Sequence, residues 1–216
     1  MLKLNKSKIK ICGIKKIDNL KTCIELKVSY FGLIFYPNSP RNVSVDLASK
    51  LLTFAKDKKI FSVGVFVDKP IKKLKNILSK IELNCVQLHG NEDNSYIIEL
   101  KKHTKSKIIK NIAIKNKGDF QNIKKFPDVD IFLFDYKPNK NELPGGNSKS
   151  FSWNLIKNLK IEKPWFLSGG INIKNINDIK NYAIPYGIDI SSGVEDKLGI
   201  KNNKKIIELI NEYKKN

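Results

Sequence analysis

The stretch Ile9-Lys10-Ile11-Cys12-Gly13-Ile14 (IKICGI, residues 9–14) decides the fold. It is short and rich in branched aliphatic side chains, and Lys10 is its only charge. An apolar run of this length that stops on glycine reads as a buried strand entering a loop. With Lys8 it extends to KIKICGI (8–14), and seven later stretches repeat its design. These are YFGLIF (30–35), FSVGVFV (61–67), CVQLHG (85–90), KIIKNIAI (107–114), IFLFDY (131–136), PWFLSGG (164–170) and GIDISSG (187–193). All are continuous apolar runs rather than alternating ones, as strands buried on both faces should be.

Amphipathic segments separate them. Apolar residues at three- and four-residue spacing predict helices over about 17–27, 45–57, 71–81 (opened by Pro70), 92–102, 119–126, 152–159, 173–182 and 203–214. The result is eight strand–helix units of roughly 20–30 residues, the size of one βα repeat. The chain is therefore read as α/β, a single (β/α)8 TIM barrel spanning residues 1–216. An open doubly wound sheet is the runner-up, but it wants a glycine-rich turn after the first strand. Here that turn reads CGIKK. One long loop, about 137–150, interrupts the pattern, and a loop of that length inside a compact domain is usually functional.

Composition narrows the function. Hydrophobic residues make up 41% of 216, enough for a core, and no run approaches a membrane span. The basic N-terminus has no apolar signal region, so a cytoplasmic protein is expected. Three cysteines at unremarkable spacing suggest reduced thiols, not a disulfide framework or a zinc site, and no metal is expected. The net charge of +20 raises the question of nucleic acid. The lysines are spread over nearly every polar segment, however, and there is no aromatic-plus-basic pattern of a nucleic-acid binder. No nucleic-acid partner and no membrane association are expected.

In a (β/α)8 barrel the chemistry sits at the C-terminal ends of the strands. The residues there are far more polar than the runs that lead to them: Cys12; Tyr36; Asp68; Gln87 and His89; Asp135; Ser168, Gly169 and Gly170; Asp189, Ser191, Ser192 and Gly193. The last two groups are small, amide-rich turns after strands seven and eight, suited to wrapping a phosphate with help from a short following helix. Asp135 closes an apolar run and is either a satisfied cap or a general acid. Asp68 is expected to cap the helix after strand three. Gln87 and His89 are expected as hydrogen-bonded or substrate-lining groups. Cys23 and Cys85 read as small buried hydrophobes. Arg41 is the one arginine among many lysines, just past strand two. Its planar fork matches a carboxylate in a way lysine cannot.

The motifs KICGI (10–14), FYPNSPRNV (35–43), VGVFVD (63–68), VQLHGNED (86–93), FLFDYKP (132–138), PGGNSKSFSW (144–153), LSGGIN (167–172) and DISSGVE (189–195) together resemble the phosphoribosylanthranilate isomerase family of tryptophan biosynthesis. They run in family order along the whole chain. The resemblance implies an Amadori rearrangement of N-(5-phosphoribosyl)anthranilate, a small anionic phosphosugar, with no cofactor. It implies Cys12 as general base, Asp135 as general acid and Arg41 as the contact for the anthranilate carboxylate. Gln87, His89 and Asp189 would line the substrate. Ser168, Gly169, Gly170, Ser191, Ser192 and Gly193 would hold the phosphate. A monomer, or at most a weak homodimer, is implied. For Cys12 to work well its thiol pKa should fall from the usual value near 8.5. Three positions depart from the family pattern: Ser148 replaces a loop glycine, Ser152 an aspartate and Ile173 a proline.

Overall fold

Side chains alternate along each strand, one set toward the barrel axis and the other toward the outer layer, so the runs must be apolar throughout. In the computed structural model, which describes residues 7–139, 142, 145–146 and 149–215, eight parallel strands close in sequence order. They are β1 (Lys8–Cys12), β2 (Tyr30–Ile34), β3 (Phe61–Phe66), β4 (Cys85–Leu88), β5 (Lys107–Ile114), β6 (Ile131–Tyr136), β7 (Trp165–Leu167) and β8 (Gly187–Ile190). The ring shuts where β8 lies beside β1, with Lys8 opposite Gly187 and Ile11 opposite Ile190. The loop positions Pro144, Asn147 and Ser148 lie outside the described residues.

Two apolar layers hold the barrel. Tyr30, Val63, Cys85, Ile109, Ile131 and Phe166 fill the axis. Leu20, Leu51, Leu74, Ile97 and Leu209 seal the helices against the outer face of the strands. Each such side chain contributes about 1.5–3 kcal/mol when fully buried. The floor of the axis is aromatic, with Tyr30 meeting Phe166 edge-on at 5.4 Å.

The outer layer differs from the expectation. Helices α1 (Ile17–Glu25), α2 (Val45–Ala55), α3 (Ile71–Leu78) and α4 (Asn94–Lys101) follow the first four strands, and α5 (Asn203–Lys214) ends the chain. The helices expected over 119–126, 152–159 and 173–182 are instead 3-10 segments at Lys117–Lys125, Trp153–Ile156 and Ile176–Asn181. Those stretches are rich in Asn and Ile or broken by Gly118, weak helix formers that suit short 3-10 pieces. Ser152, in place of the family's aspartate, makes no side-chain cap bond. Between β8 and α5 a 3-10 turn (Ser192–Val194) leads into an antiparallel pair, β9 (Glu195–Lys197) and β10 (Ile200–Lys201), which the apolar pattern did not announce.

Asp68 is a second correction. The residue at the start of α3 is Pro70, with no side-chain cap bond. The Asp68 carboxylate instead accepts from the backbone and side-chain N–H groups of Asn91, and so ties the loop after β3 to the loop after β4.

Candidate active site

Two adjoining hollows open at the C-terminal mouth of the barrel. The first, about 550 Å³, is lined by Cys12, Arg41, Gln87, His89, Asp135 and Asp189, together with apolar Ile34, Val65 and Val67. The second, about 360 Å³, is lined by Ser168, Gly169, Gly170, Ser191, Ser192 and Lys149. Asp135, Ser168, Asp189 and Ser191 border both. The strand-end residues named from sequence thus converge from six different segments of the chain, while Asp68 borders neither hollow. Gly193 stands behind the rest: a Cβ there would lie 2.0 Å from the Ile171 carbonyl oxygen, so its lack of a side chain lets the two phosphate-type turns touch.

Cys12 ends β1 on the inner face, two residues beyond Lys10. Strand alternation puts both side chains toward the axis, and both are buried. The Lys10 ammonium donates to Asp189 Oδ1 at 3.0 Å and to Gln87 Oε1 at 2.8 Å. Burial works against its charge, but Asp189 and then Cys12 outweigh that and hold its pKa above the ordinary lysine value. Lys10 is the group that sequence reading passed over. Its signal was present, as the only charge in an otherwise apolar strand.

The expected fall in the Cys12 pKa is not found. Burial pushes the thiol up; Lys10 opposes this, Asp189 adds to it, and Lys201 opposes it more weakly. The amide-rich mouth does not overcome the loss of water around a buried sulfur.

Asp135, near the end of β6, accepts at Oδ1 from the backbone N–H of Tyr136 (2.8 Å). Its Oδ2 lies 3.4 Å from His89 Nε2. His89 Nδ1 is 2.8 Å from the Gln87 amide nitrogen. Gly145 closes over this pair; a Cβ there would come within 2.9 Å of His89 Nε2.

Arg41 is 99% buried, and its fork is already engaged: Nε and Nη2 each donate to the Glu195 carboxylate at 2.8 Å. Nη1 has no hydrogen-bond partner among the described residues and is left beside the hollow that Arg41 lines. Glu195 opens β9 and also accepts from Lys201. Burial resists its ionisation, but Arg41 and Lys201 hold the carboxyl below the usual range. Neither Glu195 nor Lys201 was singled out from sequence, because both sit in a polar stretch with no apolar pattern to place them.

At the end of β7, Gly169 and Gly170 both have left-handed backbones (φ 93° and 65°), which only glycine adopts freely, and this folds their amides around the second hollow. Lys110 on β5 lines neither hollow; it donates to Glu92 at 2.9 Å and to the Gly90 carbonyl. Among the described residues no three His, Cys, Asp or Glu side chains gather as a metal site. No described helix is long and apolar enough to cross a membrane.

A sequence model described as N-(5'phosphoribosyl)anthranilate isomerase matches residues 9–212. N-(5'-phosphoribosyl)anthranilate isomerase of Paramagnetospirillum magneticum is 36% identical over 200 residues, 92% of this chain and 93% of that one. The protein of the same name from Thermoanaerobacter pseudethanolicus is 37% identical over 203 residues, 94% of this chain and 96% of its own. Among solved structures, phosphoribosyl anthranilate isomerase from Thermotoga maritima superposes with a TM-score of 0.83 at 29% identity, covering 97% of this chain and 98% of that chain. A second, at 0.80 and 28% identity over 97% and 100% of the two chains, is the isomerase in complex with reduced 1-(o-carboxyphenylamino)-1-deoxyribulose 5-phosphate. A third, at 0.79 and 27% over 97% and 98%, is of monomers generated from the dimeric Thermotoga maritima protein.

Proposed function

The chain belongs to the N-(5'-phosphoribosyl)anthranilate isomerase family, and from that premise we propose that Cys12 is the general base and Asp135 the general acid of its reaction. The protein isomerises N-(5-phosphoribosyl)anthranilate to 1-(2-carboxyphenylamino)-1-deoxyribulose 5-phosphate by an Amadori rearrangement, a step of tryptophan biosynthesis. The observation that carries the residue assignment is convergence: Cys12 and Asp135 line the same hollow, and the two glycine–serine turns line the one beside it.

Protonated Asp135 donates to the furanose ring oxygen as its bond to C1 breaks, leaving a Schiff base between C1 and the anthranilate nitrogen. Cys12 as thiolate then takes the proton from C2. The electron pair of that C–H bond moves into the C1–C2 bond, and the resulting enolamine relaxes to the ketone. An acid and a base must face the same bound sugar for these steps to follow one another. The 5-phosphate occupies the hollow of Gly169, Gly170, Ser191 and Ser192. Arg41 meets the anthranilate carboxylate through Nη1 while Glu195 holds its other two nitrogens. Gln87, His89 and Asp189 line the sugar, and Ser168 lies between sugar and phosphate.

Turnover followed by anthranilate fluorescence tests the assignment. Cys12→Ala and Asp135→Asn should each lose about 10²–10⁴-fold in kcat with the fold intact; full activity in either overturns it. Three free, buried thiols support a reducing, cytoplasmic setting. The assembly we propose, a monomer or weak homodimer, is read by sedimentation across a concentration series.

A further inference from the structure

Lysine carries donors only, so the Gln87 atom 2.8 Å from Lys10 Nζ is the amide oxygen. That turns the amide nitrogen toward His89 Nδ1, also 2.8 Å away. A donor facing Nδ1 makes it the acceptor, and the proton of the neutral ring then sits on Nε2. His89 Nε2 is buried without a hydrogen-bond partner among the described residues and lies 3.4 Å from Asp135 Oδ2. Lys10 itself is pinned from the other side by Asp189 at 3.0 Å. The chain Asp189–Lys10–Gln87–His89–Asp135 crosses the barrel from β8 and β1 through β4 to β6, and every member is buried.

We propose that Lys10 and Gln87 are positioning residues that lock His89 as the Nε2–H imidazole, and that His89 holds the Asp135 carboxyl in orientation as it gives up its proton. Once the proton has gone, the carboxylate has two donors waiting: the Tyr136 N–H on Oδ1 and the His89 Nε2–H on Oδ2. A separation of 3.4 Å is long for a made bond, and catalytic hydrogen bonds commonly tighten only when substrate closes the site. A Cβ at Gly145 would lie 2.9 Å from His89 Nε2 and 3.4 Å from Asp135 Oδ2, so a side chain at that position would press on the pair.

This inference rests on Asp135 as the acid, and the experiment keeps the two separable. The protein has two histidines, so the ¹⁵N spectrum of the imidazoles reads the His89 tautomer directly. In the native protein His89 should show a protonated Nε2 and a bare Nδ1. Lys10→Met removes the anchor of the chain but leaves Asp189 buried without its partner, so it is open to misfolding. Gln87→Met leaves the Lys10–Asp189 pair in place and carries the decision. It should abolish the tautomer preference and lower kcat on the order of 10²-fold, the cost of a misplaced catalytic group. A native His89 protonated on Nδ1, or a Gln87→Met enzyme with native kcat while Asp135→Asn is dead, overturns the relay alone. A fully active Asp135→Asn overturns the acid assignment and the relay with it.

Discussion

The sulfur of Cys12 occupies the space that a side chain on Gly32 would fill: a Cβ at position 32 would lie 2.7 Å from Sγ. The two residues are register partners on β1 and β2. Gly32→Ala should therefore push the thiol off its position without touching its chemistry. The expected result is a fall in kcat approaching that of Cys12→Ala, with a stability loss of only about 1–3 kcal/mol from overpacking. Steady-state kinetics beside urea unfolding checks both; a native kcat would show that the thiol tolerates displacement.

Arg41 has two jobs that can be pulled apart. Arg41→Met leaves Glu195 buried without its main partner and should cost about 3–5 kcal/mol, the range for breaking a buried pair, and it should also raise KM. Adding Glu195→Gln together with Lys201→Met removes the whole buried charge cluster, so stability should partly return while KM stays high. Recovery of KM together with stability would assign Arg41 a purely structural role.

Alkaline pH should unfold the protein earlier than neutral conditions suggest. Burial pushes the Cys23 thiol up to about 12 and the Cys85 thiol up to about 11, from an ordinary value of 9.0. Both stay protonated in the fold and ionise in the unfolded chain. Their contribution is complete below pH 9 and is lost as pH rises through 11 to 12. Urea midpoints measured from pH 7 upward should fall along that window, and Cys85→Val should flatten the lower part of the slope.

The thiol of Cys12 is also raised by burial, so the thiolate is the minor form at neutral pH and kcat/KM should climb as the solution becomes more alkaline. A pH profile of the native enzyme reads this directly; a rate flat from pH 6 to the onset of unfolding would mean that the substrate, not the free site, sets the thiolate.

Inorganic phosphate should stabilise the protein through the second hollow. Saturation a hundredfold above Kd corresponds to about 2.7 kcal/mol and a rise in Tm. Gly169→Ala, forced against a φ of 93°, should weaken that shift and raise KM. An equal phosphate shift in the variant would place the anion elsewhere.

The strands were legible because their information is local. IKICGI and FLFD each announce a buried strand and its polar end within a few residues, and eight such runs in order leave little but a closed barrel. The helices over 119–126, 152–159 and 173–182 were over-read, since apolar spacing of three and four suits a 3-10 segment nearly as well and the Asn-rich composition tipped the balance. Asp68 was read as a cap from its place before Pro70, yet its partner, Asn91, lies beyond the next strand.

What the sequence determined by itself was the order of the strands, the residues at their C-terminal ends and, through the motifs, the family. Only the tertiary structure decided what those residues do to one another. Lys10 meets Gln87 across 77 positions and Asp189 across 179, and Arg41 meets Glu195 across 154. Contacts of that reach are set by barrel closure, which no local pattern encodes. The rise in the Cys12 pKa has the same origin. The motif KICGI supplies the thiol, but the water excluded around it depends on seven other strands, and for a buried sulfur that loss outweighs the nearby lysine.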